Sequence, residues 1–238
     1  MSEEKQKKIK NEEISERRWR DLYRIGFISS LALPVSILVA IIAYFIYPYT
    51  PGISSVENIF TTLNVSPIEG LISLDLFMVI LEVMLIPQML ALYMALRSIN
   101  ESYALIALAF GLMGILLIFT ARPLAEMVYL SEQYAAATNE STKAHYLAAG
   151  EAVYSAFNGT TWMMSNIFIG ISYTISSLIM IRSKYFSKST AYTGIILSII
   201  GFGFLIPTIG TILSLIGTIG GIIWYILLAK SFYKLGWD

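Results

Sequence analysis

Cysteine is absent from the 238 residues, and histidine occurs once. Without cysteine there are no disulfides, thiolate nucleophiles or Cys-ligated metals. One imidazole, His145, among scattered carboxylates supplies no recognisable metal-ligand spacing. No Ser-His-Asp constellation, phosphate loop or HExxH motif is present. Charge is scarce too: 13% of residues are Asp, Glu, Lys or Arg, against about 25% in an ordinary soluble domain. Sixteen acids balance sixteen bases, so nothing global points to nucleic acid or to an acidic substrate. The sequence is read as carrying no catalytic residues, no metal and no cofactor. An intramembrane hydrolase is disfavoured by the lone histidine.

What the chain has is oil: 56% of residues are hydrophobic. A helix needs about 20 apolar residues to cross a hydrocarbon core. Six blocks meet this, at about residues 26–49, 71–96, 103–121, 153–181, 191–208 and 209–229. The last two are separated at Pro207-Thr208-Ile209-Gly210, where a helix cannot easily continue and a tight reversal is possible. The first block follows a charged tail without a small-residue cleavage signature, so it is read as a retained helix. The expected fold is all-α, a polytopic membrane bundle of six transmembrane helices spanning residues 26–238.

Lysine and arginine orient such a bundle. With six crossings, one side holds the tail (residues 1–25, eight bases), Arg97, Arg182, Lys184, Lys188, Lys230 and Lys234, fourteen of the sixteen bases. The other side holds Arg122 and Lys143. Both termini are therefore expected in the cytoplasm of a multi-pass cell-membrane protein. Six acids reduce the tail's charge, and Trp19, Leu22 and Tyr23 are expected to anchor its end at the inner headgroups. On the outer side, Ser54-x-x-Glu57 resembles a capping box. It opens a helical pattern of Ile53, Val56, Ile59, Phe60 and Leu63, which predicts an amphipathic surface helix over about 53–66. Residues 122–152 predict an outward helical hairpin that turns near Thr138-Asn139-Glu140-Ser141.

The second block carries the chemistry. Asp75 and Glu82 are seven residues apart, about two turns of a continuous helix, which predicts an acidic stripe on one face. A carboxylate at mid-depth costs at least about 2.5–3.5 kcal/mol, so the stripe must face the bundle interior. Pro87 cannot donate to the Val83 carbonyl and predicts a kink beside Gln88. In the fourth block, Asn166 lies at the depth of Glu82 and shares a face with Tyr173. Asp75, Glu82, Gln88, Asn166 and Tyr173 are thus the candidate ligand- or proton-binding residues, with Glu82 donating to Asn166. The same residues are equally compatible with hydrogen bonds that only join helices. Gly217-x-x-x-Gly221 is a small-residue packing motif, read as internal packing or as a homodimer contact.

The second block's acids precede Ala91-Leu92-Tyr93-Met94-Ala95-Leu96, and the third block opens with Tyr103-Ala104-Leu105-Ile106-Ala107-Leu108. The fourth ends Ile181-Arg182-Ser183 and the glycine-rich last pair ends Ile223-Trp224-Tyr225. This order resembles the prokaryotic membrane proteins grouped as domain of unknown function 4386. The resemblance implies a six-helix fold and no known activity. It also implies an arginine in the third helix and a proline after the fourth; Ala109-Phe110-Gly111-Leu112 and Ser187-Lys188-Ser189-Thr190 have neither. The leading expectation is a non-enzymatic small-ligand-binding or transport-type protein with an intramembrane acidic site. The alternative is an accessory or scaffold subunit of a larger membrane complex. Expected partners are the lipid bilayer, a small ligand or proton, and further copies or subunits.

Overall fold

The structure, a computed structural model, describes residues 19–206 and 208–237, with the side chain of Thr211 excepted. Most of the charged tail and Pro207 lie outside the described residues. Every regular element described is helical. In chain order they are α1 (Arg20–Ile46), α2 (Val56–Val65), α3 (Pro67–Ser73), α4 (Leu76–Ala121), α5 (Leu124–Ala136), α6 (Glu140–Tyr154), a 3-10 turn (Ser155–Asn158), α7 (Thr160–Met180), α8 (Lys188–Gly201), a second 3-10 turn (Phe202–Leu205) and α9 (Gly210–Trp237). Among the described residues, five runs are long and apolar enough to cross a membrane: Arg20–Ile46, Leu76–Ala136, Glu140–Met180, Lys188–Leu205 and Ile212–Trp237.

Helix α4 merges the second and third apolar blocks. Its 46 residues would extend about 69 Å, more than twice a hydrocarbon core of about 30 Å. The backbone leaves helical values inside it at Asn100 (φ −155°, ψ 96°), whose side chain accepts from the Tyr103 N–H as a cap for the segment that follows. Pro87 lies inside α4, and the non-helical backbone values are at Asn100.

The chain divides into two compact units. The first comprises residues 1–34, 84–111 and 170–238. Its core joins Ala91, Leu92, Ala95 and Leu96 of α4 to Met180, Ala191, Trp224, Leu228 and Phe232. Close approach is built on small residues: a Cβ on Gly194 would lie 2.2 Å from Ser177 Oγ and 2.7 Å from Trp224 Nε1. The motif glycines behave differently. A Cβ on Gly217 would meet nothing within 4 Å, and one on Gly221 only Tyr225 of the same helix. Internal packing through Gly217 and Gly221 is therefore not what this pair does. Gly220 makes the close approach instead, where a Cβ would lie 2.2 Å from Leu197 Cδ2 of α8. At the other end of α1, Trp19 lies under the Arg97 guanidinium, and Leu22 and Tyr23 pack on the core.

The second unit comprises residues 35–83 and 112–169. Val56, Ile59, Phe60 and Leu63 of α2 are buried with Leu74, Met127 and Phe157. Ser55, one residue beyond the expected Ser54, caps α2 by accepting from the Asn58 N–H. Ile53, which the periodicity put on the same face, is exposed because it precedes the helix. The helical pair α5 and α6 turns at Asn139, whose side chain accepts from the Thr142 N–H at 2.8 Å. These two helices are not continuations of their neighbours: the backbone breaks at Arg122-Pro123 and again at Gly159.

Candidate functional site

The acidic stripe of a continuous helix is not present. Between α3 and α4 the chain breaks, and Asp75 stands at the break as the residue before Leu76, in the left-handed region (φ 75°, ψ 35°). Aspartate tolerates that conformation better than most residues. The break frees the Ser73 carbonyl, which accepts from both the backbone N–H and the hydroxyl of Thr50. It also sets the Asp75 carboxylate at the N-terminus of α4, the favourable end of the helix dipole for an anion.

Arg122, the residue that ends α4, meets Asp75 there. Its Nε and Nη2 each lie 2.7 Å from Asp75 Oδ2. The other carboxylate oxygen accepts from the Tyr44 hydroxyl at 2.6 Å. Nη1 donates to the carbonyls of Phe157 (2.7 Å) and Ala121 (3.1 Å), and the guanidinium lies over the Phe157 ring. Arg122 is 4% exposed and Asp75 6%. Each charged oxygen and nitrogen in this cluster thus has a partner, the condition under which a buried ion pair is tolerated. A cation at the C-terminal end of α4 is also stabilised by the carbonyls left free there.

Glu82 is different. It is 5% exposed and within electrostatic reach of Arg122 and Asp75, yet among the described residues its Oε2 has no hydrogen-bond partner. The expected partner, Asn166, turns its amide to the Trp162 carbonyl of its own helix at 2.8 Å. Side chains that can bond locally one turn back often do so in preference to a distant partner.

Gln88 and Tyr173 belong to the first unit and bond each other, the Tyr173 hydroxyl donating to Gln88 Oε1 at 3.1 Å. Gln88, fully buried, donates to Ser30 Oγ at 3.3 Å. Four of the five candidate residues therefore fall into three settings. Asp75 is locked in an ion pair, Glu82 is buried and unsatisfied, and Gln88 with Tyr173 forms an interhelical bridge. Asn166 joins none of these.

Sequence reasoning missed Arg122 and Tyr44. The sequence places Arg122 only among the bases of the outer side. The available signal was Ala121-Arg122-Pro123-Leu124, where one cation is flanked by apolar residues and a proline that ends the helix. His145 is exposed, and among the described residues no three His, Asp or Glu side chains converge on a metal position.

Residues 32–231 match the family model described as Domain of unknown function (DUF4386), and the chain belongs to that family. The match takes in both acids, Arg122, Tyr44 and the Gln88–Tyr173 bridge. No curated protein and no solved structure matches the chain.

Proposed function

We propose that this DUF4386 member is a six-crossing membrane protein, both termini cytoplasmic, in which Glu82 exchanges a proton or binds a small ligand. The crossing count rests on the Asn100 break, which divides α4 into two stretches of more than 20 residues, each about long enough for one span. The orientation rests on the lysine and arginine asymmetry. Engagement of Arg122 in an ion pair supports it, since Lys143 is then the one cation left for the outer side.

The observation that carries the functional reading is the unpartnered Glu82 Oε2 in a buried setting. An ionisable group held this way is costly and favours a functional role by default. Asp75 and Arg122 have the opposite character: their mutual satisfaction suits a fixed support that holds α4 and the Phe157 turn around Glu82. A carbodiimide that reacts with protonated carboxyls in apolar surroundings tests this. Glu82 is the expected site of labelling, found by peptide mass mapping, and Glu82→Gln abolishes it. In proteoliposomes carrying a pH dye, the same variant is expected to lose any proton response while assembling normally.

The second reading is an accessory or scaffold subunit whose polar groups only join helices. The Ser30–Gln88–Tyr173 bridge favours it, because there a buried polar set is satisfied entirely by its own chain. If Glu82→Gln behaves as the parent in labelling and in proton response, the scaffold reading stands and the site reading fails.

A further inference from the structure

Several bases gather at one end of the first unit, where Arg24 also pairs with Asp21. Arg24 bonds the Gly236 carbonyl and lies over Trp237, so the start of α1 and the end of α9 meet there. Lys188, at the start of α8, reaches the Ile181 carbonyl, which brings the Arg182–Lys184 segment to the same end. Tyr233 stacks on Trp237 beside Arg24. Amphipathic rings of this kind mark headgroup depth.

A cavity of about 140 Å³ opens at this end, lined by Tyr185, Ser187, Thr190, Leu227, Lys230, Ser231 and Lys234. One water needs about 10–15 Å³ of such space, so a phosphate group with attached water fits. No carboxylate is among the lining residues. Lys230 and Lys234 are exposed, and among the described residues neither makes an ion pair. They lie four apart on α9, hence on one face, where two like charges repel unless an anion lies between them. The N-terminus of the 14-residue α8 adds its partial positive charge, with its cap Ser187 in the cavity wall.

We propose that this cavity binds the phosphate of an anionic phospholipid. Lys230 and Lys234 clasp the phosphate oxygens, and the hydroxyls of Ser187, Ser231 and Tyr185 reach the remaining headgroup atoms. Continuity with an apolar strip distinguishes a lipid from free phosphate as the occupant. Ile223 and Ile216 precede Lys230 by seven and fourteen residues on the same face of α9, and both are exposed. An acyl chain hanging from the cavity lies along them.

The test is native mass spectrometry of the full chain, offered phosphatidylglycerol or phosphatidylcholine at equal concentration. The parent is expected to retain phosphatidylglycerol preferentially. The Lys230→Gln, Lys234→Gln double variant is expected to lower that occupancy at least five-fold, while Lys143→Gln, in the other unit, leaves it unchanged. Circular dichroism checks that helicity is kept. Should the double variant lose helicity, Leu227→Trp, which fills the cavity and keeps both lysines, decides by the same criterion. Equal phosphatidylglycerol retention by parent and variant overturns the proposal. So does displacement of the lipid by an equal concentration of inorganic phosphate, which would make a free anion the ligand.

Discussion

Arg122 Nη2 lies 2.7 Å from Asp75 Oδ2 in a setting from which solvent is almost excluded. Forty-seven residues separate the two in sequence, and α4 connects them end to end: Asp75 precedes its first residue and Arg122 follows its last. The break at Asn100 is what allows one helix to present both its ends to the same ion pair. Removing either partner leaves a buried charge alone, which costs about 3–5 kcal/mol. Asp75→Asn and Arg122→Gln are each expected to destabilise by that order in mixed-micelle unfolding. The double variant should lose clearly less than the sum, since it removes both charges.

The Tyr44 hydroxyl completes the Asp75 carboxylate. A hydrogen bond to a charged group contributes about 1.5–3 kcal/mol. Tyr44→Phe should therefore destabilise within that range in the same unfolding assay, and its effect should vanish in an Asp75→Asn background.

Glu82 separates the two functional readings by stability alone. A carboxyl without a partner at Oε2 contributes little packing and carries a desolvation cost. Glu82→Leu is expected to leave the thermal midpoint unchanged or to raise it. A clear drop would mean that Glu82 holds the fold together and would favour the scaffold reading.

Glycine substitutions should differ by position. In Gly150→Ala the new Cβ would lie 2.4 Å from Phe60 Cζ and 2.8 Å from Val56 Cγ1, so an overpacking cost of about 1–3 kcal/mol is expected. Gly217→Ala meets open space and gains helix propensity of up to about 1 kcal/mol. Thermal melts of the two variants check both. If Gly217→Ala proves destabilising, or shifts the oligomeric mass in light scattering, the open face of α9 is covered by another copy.

Tyr49 lies beyond the end of α1, where burial first and the Asp75 charge second push its phenol up to about 12. A raised acid favours the neutral form, so this contribution is whole below the ordinary value near 10 and is lost as pH rises from there to about 12. Ultraviolet titrations of the parent and of Tyr49→Phe should coincide up to about pH 11, and the parent should then form one phenolate more as pH passes about 12.

Much of the architecture was legible in the order of residues because oil and helix period are local properties. The apolar blocks, the Val56–Phe60–Leu63 face and the cap at Asn139 depend on neighbours within a turn or two. The reading went astray where distance in sequence mattered. Two carboxylates seven apart imply one stripe only if the helix is continuous, and the break before Leu76 removes that premise. Asn166 matched Glu82 in depth, but a carbonyl one turn back was nearer.

The chain's composition and periodicity by themselves determined that helices form and which stretches avoid water. Those follow from backbone hydrogen bonding and apolar transfer, which each segment satisfies on its own. Which charge meets which was decided only by tertiary structure. A buried ion needs a partner at about 3 Å, and the break at Asp75, the stop at Arg122 and the fold of the Phe157 turn together bring Asp75 its partner while leaving Glu82 Oε2 without one.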